Sequence, residues 1–265
     1  MSLSIPDYVR YELLRPAQAV ARRRECPVAY LPAGTLEWHG EHNPLGLDAV
    51  KAHRLCCVLA DRIGGLAMPP LWYGDNRDDL CEIVFGPQRI ASIEKDHSPL
   101  IAEKMGLPEG TFQAGGVRNG VRDSWGFFSE LVERTLYQMQ TLGFAAAIVL
   151  TGHYPECGPA QAAADRFAAY GRMKTLVMME HSLLVEQGYR GDHAARWETS
   201  LMLALSDGLV DMGALSDDLD EPNIGVLGVD PRGTASAEYG REAIESLVEA
   251  VRARVTGLLG QAHAK

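Results

Sequence analysis

Apolar and polar positions along this chain fall into alternating blocks. Short, almost wholly apolar runs are followed by longer stretches whose apolar residues recur at helical spacing. Residues 26–32 read as a buried strand after a polar lead, and residues 48–63 as a helix carrying Ala49, Ala52, Leu55, Cys56 and Leu59 on one face. A second strand is predicted over residues 66–73, ending at Gly74. Residues 75–122 break the rhythm with many charges, glycines and prolines, apart from a helical stretch near residues 98–105. A long irregular insertion of this kind usually contacts substrate or a second subunit. Regularity returns with a helix over 125–142 closed by Gly143, an apolar strand over 144–150, an alanine-rich helix over 158–170 and a strand over 175–179. Further helices are predicted over 198–205 and 238–259. A wholly apolar strand such as 144–150 belongs in a sheet covered on both faces. The expected fold class is therefore α/β: three layers, α/β/α, with a mainly parallel central sheet in one domain spanning residues 1–265.

Composition narrows the partners. The net charge is −10 and the pI about 5.3, which argues against nucleic acid or an anionic membrane surface as the main partner. Five cysteines in irregular positions, two of them adjacent, form neither a disulfide framework nor paired zinc spacing, so a reducing cytoplasmic setting is expected. No apolar run reaches the length of a membrane span, and the N-terminus lacks the pattern of a signal peptide.

The candidate chemistry sits where strands end. In open α/β sheets, ligands collect beyond the carboxyl ends of the strands. Glu37 and His39 follow the first strand, and Asp48 returns after a loop containing Pro44 and Gly46. On an extended backbone, residues at i and i+2 share a face, so Glu37 and His39 are expected to point into one pocket. Asp75 and Asn76 follow the second strand, and Thr151-Gly152-His153-Tyr154 follows the apolar strand. Asp192 and His193 lie just before the helix that carries Glu198. Mixed carboxylate and imidazole donors of this kind suit borderline divalent cations.

Four segments, LPAGTLEWHGEHNPLGLDAV, VLTGHY, GDHAARWETSLMLAL and GVLGVDPRGTASAEYGREAIE, resemble the successive signatures of the creatininase (creatinine amidohydrolase) family, in the right order along the whole chain. The resemblance implies a creatininase-like α/β/α fold, often assembled as homo-oligomers and commonly hexamers. It also implies a divalent metal site, of one or two ions, that hydrolyses C–N bonds; an O/N donor set of this kind accepts Zn, Mn or Fe. Carried over residue by residue, it assigns Glu37, Asp48 and His153 to one ion. His39, Asp48 and an acidic residue would hold a second, with Glu198 preferred for that position over Glu156. His193 is expected to move a proton at the departing nitrogen, with Asp192 orienting its ring; such shuttles contribute about 10²–10⁴-fold. Tyr154, Asn76 and Glu156 are the candidates for substrate contact.

The implied function is a metal-dependent hydrolase that cleaves an amide or cyclic amide in a small polar substrate through a metal-bound hydroxide. Two alternatives stand beside it: attack on a cyclic keto-polyol or keto-sugar with the same metals, and a non-catalytic ligand-binding oligomer. Pro155 displaces the acidic residue after His153 by one position relative to creatininase, and Asp75-Asn76-Arg77-Asp78-Asp79 stands where relatives carry a Ser and a His. Creatinine itself is therefore not carried over as substrate. Other features have plainer readings. His42 and His53 are expected to be structural or at a subunit contact, and Cys157 to be a small packed thiol. Residues 225–230 are expected to form a loop near the site, and residues 217–221 a solvated acidic turn.

Overall fold

The computed structural model describes residues 3–73, 97–108 and 121–262, the side chains of 121–124, 261 and 262 excepted. Asn76 and most of the predicted 75–122 insertion lie outside the described residues. Four parallel strands form the sheet: β1 (Val28–Ala33), β2 (Leu66–Ala67), β3 (Ala146–Thr151) and β4 (Lys174–Met178), in the spatial order β2-β1-β3-β4. β1 and β3 run in register over six residue pairs, from Val28 beside Ala146 to Ala33 beside Thr151. Their carboxyl ends therefore lie side by side. The chain moves outward in opposite directions from this pair, which makes the β1/β3 boundary a topological switch point.

Side-chain alternation along the strands builds two cores. Val28, Tyr30, Ala146, Ile148 and Leu150 face α2 (Leu47–Arg62), α6 (Arg196–Ser206) and α7 (Ala237–Ala262). Ala29, Leu31, Ala33, Ala147 and Val149 face α4 (Val121–Thr141) and α5 (Cys157–Ala168) on the other side. This is the three-layer α/β/α arrangement expected from the apolar runs.

Two differences from the sequence reading have physical causes. The second strand pairs only over Leu66–Ala67, because Pro69 and Pro70 cannot donate to a ladder. The chain rejoins the sheet edge at Leu71, whose N–H donates to the Pro32 carbonyl at 2.9 Å. The polar lead contains a helix, α1 (Pro16–Glu25), with Pro at its first position and the Gln18 side chain accepting from the Arg15 N–H. It buries no residue, so it has no apolar stripe to read. Residues 34–39, beyond the end of β1, form no strand. A loop contact, Glu37 N–H to Leu45 carbonyl at 2.8 Å, holds the segment instead. The predicted short helix near residue 98 is present as α3 (Ser98–Lys104).

Candidate metal centre

Two glycines let the pieces of the site meet. Gly34 follows β1 and Gly152 follows β3, and both lie against the first turn of α2. A Cβ on Gly34 would sit 2.4 Å from the Ala49 nitrogen, and one on Gly152 would sit 2.1 Å from the Asp48 carbonyl oxygen. Only a hydrogen fits at either position. The close approach brings Asp48, in the acidic first turn of α2, between the residues that follow the two strands. Its negative charge there also complements the helix dipole.

The imidazoles converge on the two carboxylates. His39 Nε2 lies 3.2 Å from Glu37 Oε1, 3.2 Å from Asp48 Oδ1 and 3.9 Å from Glu198 Oε2. Its Nδ1 faces the Glu37 carbonyl at 3.3 Å. A carbonyl only accepts, so Nδ1 carries the hydrogen and Nε2 is directed at the carboxylates. His153 Nδ1 lies 3.2 Å from Glu37 Oε1 and 3.4 Å from Asp48 Oδ2. His193 stacks on His39 with ring centroids 4.6 Å apart. Its Nε2 donates to the Trp38 carbonyl at 2.8 Å, which leaves Nδ1 facing Glu37 Oε1 at 3.7 Å.

Three overlapping ligand groups result, each with donor atoms within 4.8 Å of one another: Glu37, Asp48 and His153; His39, Asp48 and Glu198; and Glu37, His39 and His193. The fit to a cation rests on the carboxylates themselves. Both oxygens of Glu37 and Oδ2 of Asp48 are buried and accept no hydrogen bond. Burying such oxygens is costly unless a cation compensates them. Burial disfavours a charged His39, yet Asp48 and Glu37 outweigh it and hold its pKa well above the ordinary value. Burial likewise opposes the Asp48 carboxylate, but His39 and His153 keep its pKa well below the usual range. Both shifts say that this cluster seeks positive charge.

The remaining predicted residues divide. Glu198 joins the second group and Glu156 joins none: it is fully buried in the turn before α5 and does not line the cavity over the site. That cavity measures about 320 Å³ and is bounded by Glu37, Asp48, His153, Tyr154, Asp192, His193, Glu198 and Leu227. Asp192 does not orient the His193 ring as expected. Its carboxylate accepts from the N–H groups of Trp197 at 2.6 Å and Glu198 at 3.2 Å, so it caps the start of α6, while the Trp38 carbonyl positions the ring. Burial, then the charge of Glu198, pushes the Asp192 pKa up to about 7. Burial lowers that of His193, which favours the neutral ring. Tyr154 donates its hydroxyl to Glu180 Oε1 at 2.7 Å and presents its ring at the cavity wall.

The plainer sequence readings also have places. His42 Nε2 faces the Ala194 carbonyl and Thr199 Oγ1, each at 3.0 Å, and belongs to none of the ligand groups. Burial raises the Cys157 pKa, the wrong direction for a nucleophilic thiol. Leu227, in the loop over residues 225–230, pairs with His193 through two backbone hydrogen bonds of 2.8 and 2.9 Å. Arg232 reaches back to the carbonyls of Asp218, Leu219 and Glu221 in the acidic turn.

Two residues escaped the sequence reading. Lys51 lies fully buried one turn beyond Asp48 on α2, with its ammonium on Glu198 Oε1, on Glu180 Oε1 at 3.0 Å and on the Gly152 carbonyl at 3.2 Å. Burial works against that charge, but Glu180 and Glu198 prevail and its pKa is raised. Glu180 lies two residues past the end of β4 and is also fully buried. Two signals were available: the i, i+3 spacing of Asp48 and Lys51, and the position of Glu180 beyond a strand end.

Comparison with known proteins shows the family and the fold. The family model for creatininase (creatinine amidohydrolase) matches residues 12–82 and 124–255. The chain therefore belongs to the creatininase family of metal-dependent hydrolases. It is 26% identical over 255 residues to a creatinine amidohydrolase of Pseudomonas putida, covering 84% of this chain and 86% of that protein. A crystal structure of creatininase superposes with a TM-score of 0.68 at 22% identity, over 94% of this chain and 97% of the other. Related creatininase structures with TM-scores of 0.64 to 0.67 at 23% identity include a creatine complex, a Zn–Zn form and a Mn form. At such identities these structures establish the fold.

Proposed function

We propose that this enzyme hydrolyses a C–N bond, in an amide or cyclic amide, of a small polar substrate, using divalent metal at the Glu37, Asp48, His153 and His39 cluster. The observation that carries the reading is the set of buried Glu37 and Asp48 oxygens that face imidazole nitrogens and accept no hydrogen bond. Zinc and manganese are the leading ions, since creatininase relatives are described with them. When bound, such an ion lowers the pKa of a water ligand from about 15.7 toward about 7 and polarises a carbonyl.

The protein residues divide the remaining work. Glu37, Asp48 and His153 supply two carboxylates and one imidazole nitrogen from three different segments. Glu198 offers Oε2 to the neighbouring position and is held there by the Ala194 N–H at 2.8 Å. A neutral His193, with Nδ1 turned to the cavity, accepts the proton lost by the attacking water. It then returns that proton to the nitrogen as the C–N bond breaks. The Trp38 carbonyl keeps the ring in the tautomer this needs. Tyr154 and Leu227 limit the substrate to something small, in keeping with a cavity of about 320 Å³.

A panel of lactams, formamides and creatinine, run beside keto-inositols on chelated and metal-restored protein, tests the reading. Metal-dependent release of an amine or carboxylate from the amide arm supports it; turnover confined to the keto-polyols replaces it. No metal-dependent turnover combined with ligand binding would favour a non-catalytic role. We further infer a single-domain cytoplasmic protein that forms homo-oligomers, which light scattering on the purified chain measures. Among the described residues, no helix is long and apolar enough to cross a membrane.

A further inference from the structure

The two main ligand groups are not equivalent. Both oxygens of Glu37 accept no hydrogen bond, whereas each oxygen of Glu198 is already engaged. Glu198 Oε1 takes the Lys51 ammonium and Oε2 takes the Ala194 N–H. Lys51 is the one Lys or Arg buried below a tenth exposure among the described residues. It donates to Glu198 and to the Gly152 carbonyl and pairs with Glu180 at 3.0 Å. Glu180 Oε1 is further fixed by the Tyr154 hydroxyl and the Trp197 indole N–H at 2.7 and 3.1 Å. The ammonium is thus locked in place, and it sits on the carboxylate that a second ion at His39, Asp48 and Glu198 would need. Such an ion would find the charge of Glu198 largely neutralised and would be repelled by the ammonium behind it.

We propose that Lys51 supplies, as a fixed ammonium, the positive charge of a second metal ion. The centre then holds one ion tightly, at Glu37, Asp48 and His153, while the position at His39, Asp48 and Glu198 fills only weakly. This rests on the metal-site reading above but concerns the number of ions rather than the reaction. Lys51 is a positioning residue here: it acts through Glu198 and touches no reacting atom.

Metal stoichiometry tests it without reference to turnover. Chelator-stripped protein is titrated with Zn²⁺ by calorimetry, and the ions retained after desalting are counted by elemental analysis. The wild type is expected to retain about one ion per chain. Lys51→Met frees Glu198 and is expected to retain about two. Outer partners of metal ligands tune affinity by about 10–100-fold, so the second ion should tighten by at least about 10-fold. Because Lys51→Met leaves two buried carboxylates without their cation, Glu198→Gln serves as an independent variant if the first fails to fold. It should keep the single tight ion with unchanged affinity. Two ions of similar affinity in the wild type, an unchanged second site in folded Lys51→Met, or loss of the tight ion in Glu198→Gln would each overturn the proposal while leaving the metal-site reading intact. No tight ion in the wild type would overturn both.

Discussion

Asp48 is the carboxylate that both main ligand groups share, and replacing it with Asn removes one charge while keeping the shape. In the wild type its oxygens lie 3.2 Å from His39 Nε2 and 3.4 Å from His153 Nδ1. Changing a partner one step removed from an ion costs about 10–100-fold in metal affinity, so loss of a shared ligand charge should cost at least about 100-fold. With metal at 100 times its dissociation constant, the wild type gains about 2.7 kcal/mol of stability. A 100-fold weaker variant at the same concentration gains about 0.4 kcal/mol, a deficit of about 2.3 kcal/mol. For a chain of this size that is about 5–9 °C in the metal-induced rise of Tm. Without metal the two melts give the variant's own cost, which combines the lost His39–Asp48 pair with a helix-dipole interaction of about 0.3–1 kcal/mol, so the metal-induced rise of each protein is the quantity compared. Thermal melts of both proteins, with chelator and with added Zn²⁺, give all four numbers. An equal metal-induced rise in Asp48→Asn and wild type would refute the assignment of this carboxylate.

Other perturbations give separate readouts. Gly152→Ala forces a Cβ against the Asp48 carbonyl oxygen and must displace α2 from β3. It should cost about 1–3 kcal/mol in denaturant unfolding and weaken metal binding as well. His193→Gln should lower kcat by about 10²–10⁴-fold while metal stoichiometry, counted by elemental analysis, stays as in the wild type. His42 is buried, and desolvation lowers its pKa from the ordinary 6.5 to about 4. The unfolded chain therefore binds a proton there between pH 6.5 and 4 that the folded chain refuses, so this stabilisation is complete above about pH 6.5 and is lost as pH falls toward 4. It amounts to about 3 kcal/mol, and His42→Asn should flatten that part of a urea-midpoint titration against pH.

The layers of this fold were legible because α/β architecture writes itself in apolar runs: residues 144–150 could only be a strand buried on both faces. What failed to show has local causes. Pro69 and Pro70 cut short a run that looked continuous, and α1 carries no buried face to betray it. In the site, Glu37, His39, Asp48, His153 and Glu198 stood out because each is polar and next to a strand end or a helix start. Glu37 and His39 do meet in one pocket, although residues 34–39 pair with no strand and the Glu37 N–H to Leu45 carbonyl bond holds their segment. Asp192 was misassigned because its neighbour in sequence is His193, whereas its partners in space are the amides that open α6. Lys51 and Glu180 went unseen because a buried ion pair joins residues 129 positions apart, and neither residue alone departs from an ordinary surface charge in sequence. The Lys51–Glu180 contact of 3.0 Å exists only once α2 and the end of β4 are packed together.

The central claim is that residues remote in sequence meet around a cation, and locating that cation tests it most directly. Crystals of Zn²⁺-loaded protein, measured on both sides of the zinc absorption edge, are expected to show an anomalous peak within bonding distance of Glu37, Asp48 and His153. A peak bound elsewhere, with these three side chains holding no ion, would contradict the account.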